Sequence, residues 1–181
     1  IDTISYFNFG TSEGVTVTAT GAESGTFDYD GSVASGTFSE IEAHSGTSFD
    51  DTFDMSADGS GVSIDANQGN DSIIGGAGDD LIEAGAGADT VNAGAGNDTI
   101  VLNRGAGSPD GDRDVVVLED GFGNDIITEF DAPTPNGDGT FNGIDTFDVS
   151  TLTDADGNFV NTDDVTVTDD GSGNAVLTFP N

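Results

Sequence analysis

The chain has 181 residues, with 35 Asp and Glu against only two basic residues, so its formal net charge at pH 7 is −33. A charge of this sign and size repels nucleic acid and anionic membranes, and it makes cations the natural partners. Cysteine is absent, which excludes disulfides and thiolate metal sites. The longest purely aliphatic run, Val115 to Leu118, is too short to insert into a membrane as a helix.

The chain begins at Ile1 without a signal-peptide pattern and ends at Asn181 directly after a strand-like run, so we expect a piece of a longer protein. High charge and many small polar residues are typical of disordered chains. The hydrophobic content of 34%, with 12 Phe in short clusters, is nevertheless enough for a core if a bound ligand cancels the charge.

Short β-strands dominate the predicted secondary structure, because apolar residues do not recur at helical spacing and β-branched runs are bounded by Gly, Asn or Asp. In chain order the clearest runs are 14–18, 72–74, 115–118, 125–127 and 165–168. Such short strands need neighbours stacked above and below them. Near the C-terminus, 165–168 and 175–179 flank a Gly- and Asn-rich turn and predict an antiparallel hairpin. The predicted fold class is all-β.

Residues 66–101 consist of four nine-residue blocks that align without a gap. A strand of about three residues can turn only one large side chain inward, so the aliphatic eighth slot predicts a narrow apolar column and the seventh slot predicts outward side chains. The column residues are Ile73, Ile82, Val91 and Ile100, and their outward neighbours are Ser72, Leu81, Thr90 and Thr99.

The remaining residues of each block must reverse the chain, and Gly at the second and fourth slots suits tight turns with positive φ. Reversal brings backbone carbonyl oxygens and the carboxylate of the sixth-slot Asp together at each edge. Ca²⁺ binds six to eight hard oxygen ligands of this kind. The block therefore predicts Ca²⁺ as the bound cofactor.

Four tandem copies of this pattern resemble the RTX, or haemolysin-type, calcium-binding proteins of bacteria, whose repeat is G-G-x-G-x-D-x-U-x. The resemblance implies a parallel β-roll, a kind of β-solenoid, in which two blocks form one coil. It also implies that Asp71 faces Asp89 on one edge and Asp80 faces Asp98 on the other, with Ca²⁺ between successive turns.

The implied ligands are the sixth-slot carboxylates, turn residues of the second and fourth slots, and two Asp of degenerate repeats. They are Asp71, Asp80, Asp89, Asp98, Gly69, Gly78, Gly87, Gly96, Gly76, Gly85, Gly94, Asn67, Asp51 and Asp125. Ala replaces the first Gly of the family pattern in three blocks, and Asn67 replaces the second Gly in the first block. The first turn therefore departs most from the family pattern.

The Asp-x-apolar ending of the block recurs outside the strict repeats, in Asp2-Thr3-Ile4, Asp51-Thr52-Phe53, Asp125-Ile126-Ile127 and Asp145-Thr146-Phe147. Residues 121–131 resemble the segment that commonly closes the roll in this family. We therefore expect degenerate β-roll coils in 1–65, strict calcium-binding repeats in 66–101, and closing coils with a C-terminal cap in 102–181. The cap is needed because a solenoid has open ends.

Other patterns point to weaker sites. The loops 154–158 and 28–31 share Asp spacing with EF-hand loops but place Gly differently and have no predicted flanking helices. We therefore expect ordinary turns there, with a Ca²⁺ site as the less favoured alternative. His44 is the only histidine, which leaves a Zn²⁺ site or a catalytic triad without its usual partners. No carboxylate pair is distinguished as the acid and base of a glycosidase. The Thr-x-Thr runs at 16–18 and 166–168 each occur once, and the simplest interpretation is that their Thr side chains face outward from strands. We therefore expect no enzyme.

By this resemblance, the expected function is a secreted calcium-binding module that stays unfolded inside the cell. It would pass through a type I secretion channel and fold in the extracellular space or at the cell surface. One alternative is a structural spacer of a surface adhesin, layer or extracellular filament, with self-association or neighbouring domains as partners. Another is a non-catalytic module attached to an enzyme or a self-processing domain outside this chain.

Overall fold

A computed structural model describes residues 1–6, 13–29, 34–103, 112–130, 134–135, 141–142, 145–154, 156–160, 166–169 and 175–178. Within these ranges, no helix has the length and apolar character needed to cross a membrane. The strands are β1 (Thr3–Ser5), β2 (Val15–Gly21), β3 (Ser24–Tyr29), β4 (Ser35–Ser39), β5 (Ala43–Ser45), β6 (Thr52–Asp54), β7 (Ser63–Asp65), β8 (Ser72–Gly76), β9 (Leu81–Glu83), β10 (Thr90–Gly94), β11 (Thr99–Val101), β12 (Val115–Val117), β13 (Ile126–Thr128), β14 (Thr134–Pro135), β15 (Phe141–Asn142), β16 (Thr146–Asp148), β17 (Thr166–Asp169) and β18 (Ala175–Thr178).

Two sheets wind around one core as a parallel β-roll. The six-stranded sheet has the order β1-β5-β7-β9-β11-β13, and the eight-stranded sheet has the order β16-β12-β10-β8-β6-β2-β3-β4. From β5 to β13 consecutive strands alternate between the two sheets, and each pairs in parallel with the strand one coil away. Thr90 pairs with Ser72 and Thr99 with Leu81, so two nonapeptides make one coil. The all-β, parallel β-roll prediction is confirmed.

The eighth-slot residues form the apolar core. Ile73, Ile82, Val91 and Ile100 are fully buried, whereas Leu81 at an outward slot is 41% exposed. This confirms the predicted register, because a slip of one residue would have exchanged the two sets. The first-slot residues Ala66, Ala84 and Ala93 are also buried. Ala stands where the family pattern has Gly because this slot faces the core, where a methyl group adds apolar contact.

Residues 1–54 combine coil strands with an antiparallel extension, whereas the sequence predicted only degenerate coils there. β1 pairs in parallel with β5, and β2 pairs in parallel with β6, as coil strands do. β3 and β4 instead run antiparallel and extend the eight-stranded sheet beyond the first coil. Aromatic side chains of this part pack around His44 at the N-terminal end of the core. We call this group the aromatic cap, and it comprises Tyr6, Phe27, Tyr29, Phe38 and His44.

At the other end, β13 and β16 are the last strands of the two sheets. β13 lies within 121–131, the segment expected to close the roll. The rings of Phe130 and Phe147 stack there with centroids 4.7 Å apart. β17 and β18 form an antiparallel hairpin with Thr166 opposite Thr178, which confirms the C-terminal hairpin. Val165, Phe179 and the turn at 170–174 lie outside the described residues.

Candidate metal centre

A row of buried carboxylates runs along the first edge of the roll, defined as the turns that lead from the six-stranded to the eight-stranded sheet. The row comprises Asp51, Asp71, Asp89, Asp114 and Asp145, each placed just before a strand. The Asp51 amide donates to Oδ1 of Asp71 at 2.7 Å, and the Asp71 amide donates to Oδ1 of Asp89 at 2.8 Å. The row continues through Asp114 to Asp145 by the same bond, at 2.9 and 3.0 Å. Each carboxylate thus fixes the turn of the coil before it.

A shorter row follows the second edge, defined as the turns that lead back to the six-stranded sheet. It comprises Asp80, Asp98 and Asp125, with the Asp80 amide donating to Oδ1 of Asp98 at 2.8 Å and the Asp98 amide to Oδ1 of Asp125 at 3.0 Å. At the N-terminal end of this row the sixth-slot position is taken by Val62, whose amide donates to Oδ1 of Asp80 at 2.8 Å. The second row therefore begins one coil later than the first.

The second oxygen of these carboxylates has a different environment. Oδ2 of Asp71, Asp80 and Asp98 is buried and has no hydrogen-bond partner in the structure. An ionised carboxylate oxygen that is stripped of water and unpaired costs free energy on the order of a few kcal/mol. A cation at the turn would remove this cost, so the donor set fits a hard metal ion.

Burial also shifts the acid–base behaviour of the two rows. Desolvation, together with the neighbouring carboxylates of Asp89, Asp51 and Asp50, raises the pKa of Asp71 to about 8, although the hydrogen bond from the Asp51 amide opposes the shift. Desolvation likewise raises the pKa of Asp80 to about 7 and that of Asp125 to about 6. Like charges in a low-dielectric edge disfavour the ionised forms, whereas a divalent cation would favour them. The electrostatics of both edges therefore favour binding a cation.

Backbone oxygens point into the same edges. A Cβ atom added at Gly75 would collide with both Oδ2 of Asp80 and the carbonyl oxygen of Ala93, so these two oxygens converge inside one turn. A Cβ atom at Gly87 would collide with the carbonyl oxygen of Gly69, and one at Gly96 with that of Gly78. The carbonyls of the fourth slot thus face the next turn of the same edge. Backbone and carboxylate oxygens together supply the ligand type that Ca²⁺ accepts.

Side chains alone do not complete such a site. Throughout the ranges that the structure describes, no group of three or more His, Cys, Asp or Glu side chains could hold a metal ion. A cation between two turns would therefore need the carbonyl oxygens as well as the carboxylates of adjacent coils. This is the mixed ligand set that the nonapeptide predicts.

The turns need positive φ at most second and fourth slots, as the glycine pattern predicts. Asn67 adopts φ 77° at the second slot of the first block, and its side-chain Nδ2 donates to the Gly46 carbonyl oxygen at 3.1 Å. Gly76, Gly85, Gly94, Gly69, Gly87 and Gly96 also have positive φ. Gly78 does not, and a Cβ there would instead meet the backbone of Ser60 and Gly61. Gly78 is therefore required by its close packing against the backbone of the neighbouring turn at Ser60 and Gly61, and not by its φ angle.

The structure places every sequence-predicted ligand on one of the two edges and adds two residues to the first row. Asp51 and Asp125 lie in the rows, as their Asp-x-apolar context suggested. Asp114 and Asp145 were not among the predicted ligands. The same ending, Asp114-Val115-Val116, could have identified Asp114, but the longer connection at 102–114 breaks the nine-residue spacing.

An outer row of amides and carboxylates accompanies each edge at the fifth slot. The Ala88 amide donates to Oδ1 of Asn70 at 2.9 Å, and the Asn97 amide donates to Oδ1 of Asp79 at 2.8 Å. These side chains are exposed and tie adjacent turns together from outside. The nonapeptide pattern does not fix the fifth slot, so it predicts no role for these side chains.

The weaker sequence patterns have structural roles in the described residues. Asp154 accepts hydrogen bonds from the Asn158 backbone amide at 2.8 Å and from the Asn158 side chain at 3.1 Å, so Asn158 folds back onto Asp154, while Ala155 lies outside the described residues. His44 is a buried core residue of β5 with Nδ1 3.1 Å from the Tyr6 hydroxyl oxygen. Thr16 and Thr18 face outward on β2. Asp30 and Gly31 lie outside the described residues.

Comparison with known proteins agrees with this geometry. Residues 65–106 match the family model of the RTX calcium-binding nonapeptide repeat, in four copies. No curated protein matches the chain significantly. RTX nonapeptide repeats bind Ca²⁺ and fold as β-rolls, so the resemblance, the fold class and Ca²⁺ as the cofactor are confirmed for this segment.

Proposed function

We propose that this chain, whose residues 65–106 are RTX calcium-binding nonapeptide repeats, is a secreted module of a longer protein that folds when it binds Ca²⁺ outside the cell. Such repeats are a structural, generally non-catalytic element, and the module has no catalytic role of its own. Its place of action is the extracellular space or the cell surface, which it reaches through a type I secretion channel in the unfolded state.

The single observation that carries this proposal is the unpaired second oxygen of Asp71, Asp80 and Asp98. These oxygens are buried in a chain of net charge −33 that has only two basic residues. The ion pair between the N-terminal amine and Glu42 lies outside both rows, and two basic residues cannot balance 35 acidic ones. Free cations must therefore supply the positive charge for the folded state.

The proposed sites lie in the gaps between successive turns of one edge. On the first edge, Asp71 and Asp89 hold one ion with carbonyl oxygens of Gly69 and Gly87 or the adjacent second-slot residues Asn67 and Gly85. On the second edge, Asp80 and Asp98 hold an ion with the carbonyl oxygens of the turns at Gly76–Gly78 and Gly94–Gly96. Asp98 and Asp125 form a further gap on that edge, because Oδ1 of Asp125 accepts the Asp98 amide at 3.0 Å.

Calcium supply can set the folding equilibrium of such a module. With a dissociation constant of roughly 0.1–1 mM per site, about 10 mM Ca²⁺ stabilises the folded state by on the order of 1.4–2.7 kcal/mol per ion. Several ions together then contribute about as much as the whole stability of an ordinary domain, roughly 5–15 kcal/mol. Where Ca²⁺ is scarce, the same chain loses this contribution and stays unfolded for export.

Diffraction from crystals grown in Ca²⁺ tests the proposed ligands. Anomalous difference peaks are expected in the gaps between Asp71 and Asp89 and between Asp80 and Asp98, each with oxygen-only coordination at about 2.3–2.6 Å. The refined metal–oxygen distances distinguish the two cations, because Mg²⁺ requires octahedral geometry at about 2.0–2.1 Å. Octahedral Mg²⁺ sites, or empty gaps at millimolar Ca²⁺, would contradict the assignment.

A further inference from the structure

The carboxylate of Asp51, which begins the first row, differs from those of Asp71, Asp80 and Asp98 because the protein supplies hydrogen-bond donors to both of its oxygens. The Thr47 amide donates to Oδ2 at 2.7 Å, and the Thr47 hydroxyl donates to Oδ1 at 2.8 Å. The Val15 amide donates to Oδ1 at 2.7 Å. Both oxygens are therefore bonded, although Asp51 is only 2% exposed and as deeply buried as Asp71.

The sixth-slot carboxylates of Asp71, Asp80 and Asp98 lack this second set of donors. Oδ1 of Asp71, Asp80 or Asp98 accepts an amide from the neighbouring coil, while Oδ2 is left buried and without a hydrogen-bond partner. The difference begins at the second slot. Thr47 stands there without a positive φ, whereas Gly76, Gly85 and Gly94 adopt positive φ and carry no hydroxyl.

We propose that Thr47 and Val15 end the metal-binding part of the first row, because their donors take the place of a cation at the Asp51 carboxylate. On this assignment no ion occupies the gap between the turns of Asp51 and Asp71, and the first ion of this edge lies between Asp71 and Asp89. The inference rests on the proposed function of the repeats. A cation at Asp51 would have to displace short hydrogen bonds to an ionised group, which are among the stronger ones in proteins, and would gain little in exchange.

This arrangement divides the roll at a defined residue. At Asp51, donors from Thr47 and Val15 pair both carboxylate oxygens without metal. On the C-terminal side, Asp71, Asp80 and Asp98 each have a buried Oδ2 without a hydrogen-bond partner, which an added cation would pair. Thr47 therefore sets where the calcium-dependent part of the molecule begins.

A matched pair of variants tests the assignment in the full chain. Asp51→Asn and Asp71→Asn remove the same charge from the same slot of neighbouring coils, and titration calorimetry at saturating Ca²⁺ counts the ions bound. Asp51→Asn is expected to bind the same number of ions as the parent, and Asp71→Asn at least one fewer. Loss of an ion in Asp51→Asn would overturn the inference. An unchanged count in Asp71→Asn would instead count against the proposed function.

A second measurement needs no variant, in case Asp51→Asn fails to fold. In the anomalous difference map of the parent protein with Ca²⁺, a peak is expected between Asp71 and Asp89 and none between Asp51 and Asp71. A peak in the Asp51–Asp71 gap, with Thr47 turned away from the carboxylate, would overturn the inference and leave the other sites standing.

Discussion

Ile82 and Leu81 are adjacent aliphatic residues that face opposite sides of the same strand. Ile82 is completely buried, whereas Leu81 is 41% exposed. We expect Ile82→Ala to lower the free energy of unfolding by about 2–5 kcal/mol, because it removes core contacts and leaves a cavity. Leu81→Ala should change it by only about 0.5 kcal/mol.

Urea unfolding of both variants in saturating Ca²⁺ checks this difference. Because the two changes are neighbours and similar in size, the pair controls for local backbone effects. If both variants lose the same free energy of unfolding, or if Leu81→Ala loses more, the register of β9 is wrong by one residue.

His44 makes stability depend on pH. Burial lowers the pKa of His44 to about 4, and the carboxylate of Asp58 only partly opposes this shift. In the unfolded chain the pKa is about 6.5, so protonation favours unfolding. Stability is therefore fully present above pH 6.5 and is lost as the pH falls towards 4, by about 3 kcal/mol.

The variant His44→Leu isolates this effect, because the carboxylates titrate equally in both proteins. In saturating Ca²⁺, the parent should lose about 3 kcal/mol more than the variant between pH 7 and pH 4. The Tyr6 hydroxyl, which lies 3.1 Å from Nδ1, remains neutral over this range because burial raises its pKa. Parallel pH profiles for parent and variant would show that His44 is charged or solvated in the fold.

At the scale of elements, the unit of the roll is two nonapeptides, one for each sheet. Deleting residues 75–92 removes one whole coil and joins Ile74 to Ala93, which enters a turn of the same edge. The shortened chain should keep its calcium-dependent β structure with fewer bound ions. Deleting only 75–83 removes one block and shifts every following strand to the wrong sheet.

Circular dichroism in saturating Ca²⁺ compares the two deletions. The single-block deletion should lose cooperative folding, because its second-edge carboxylates would then face first-edge turns. If instead it folds as well as the two-block deletion, the alternation of strands between sheets does not determine the fold.

The sequence predicted the strict coils well because each slot has one dominant physical role. Once the register was set, Ile82 had to face inward and Leu81 outward. The glycines at the second and fourth slots indicated turns with positive φ. It did not predict the antiparallel β3 and β4, because their Thr-, Gly- and Phe-containing segments have the same composition as degenerate coils. Nor did it identify Asp114 as part of the first row, since the connection before it breaks the period.

The ends of the two carboxylate rows could be located only from the structure. Val62 holds a sixth-slot position without a carboxylate, and Thr47 bonds to a carboxylate that looked like any other in the sequence. Both depend on contacts between coils that are not visible in the spacing alone. The individual metal ligands, and the division of the chain at 1–65, 66–101 and 102–181, stay predictions.

At the scale of the whole molecule, the negative net charge destabilises the compact folded state. A net charge of −33 opposes compaction, and the eighth slot of each strict block buries only one large aliphatic side chain. Ions held between turns would join adjacent coils, so occupation of one gap orders the ligands of the next. Folding should therefore be cooperative in Ca²⁺ concentration rather than a sum of independent sites.

The most direct test of the account is far-ultraviolet circular dichroism of the chain during a Ca²⁺ titration that starts in excess chelator at low salt. We expect an unfolded spectrum without Ca²⁺ and a cooperative gain of β structure with a midpoint of roughly 0.1–1 mM, while Mg²⁺ at the same concentrations has little effect. A β spectrum that persists in chelator would contradict it, because the core would then suffice without the ions.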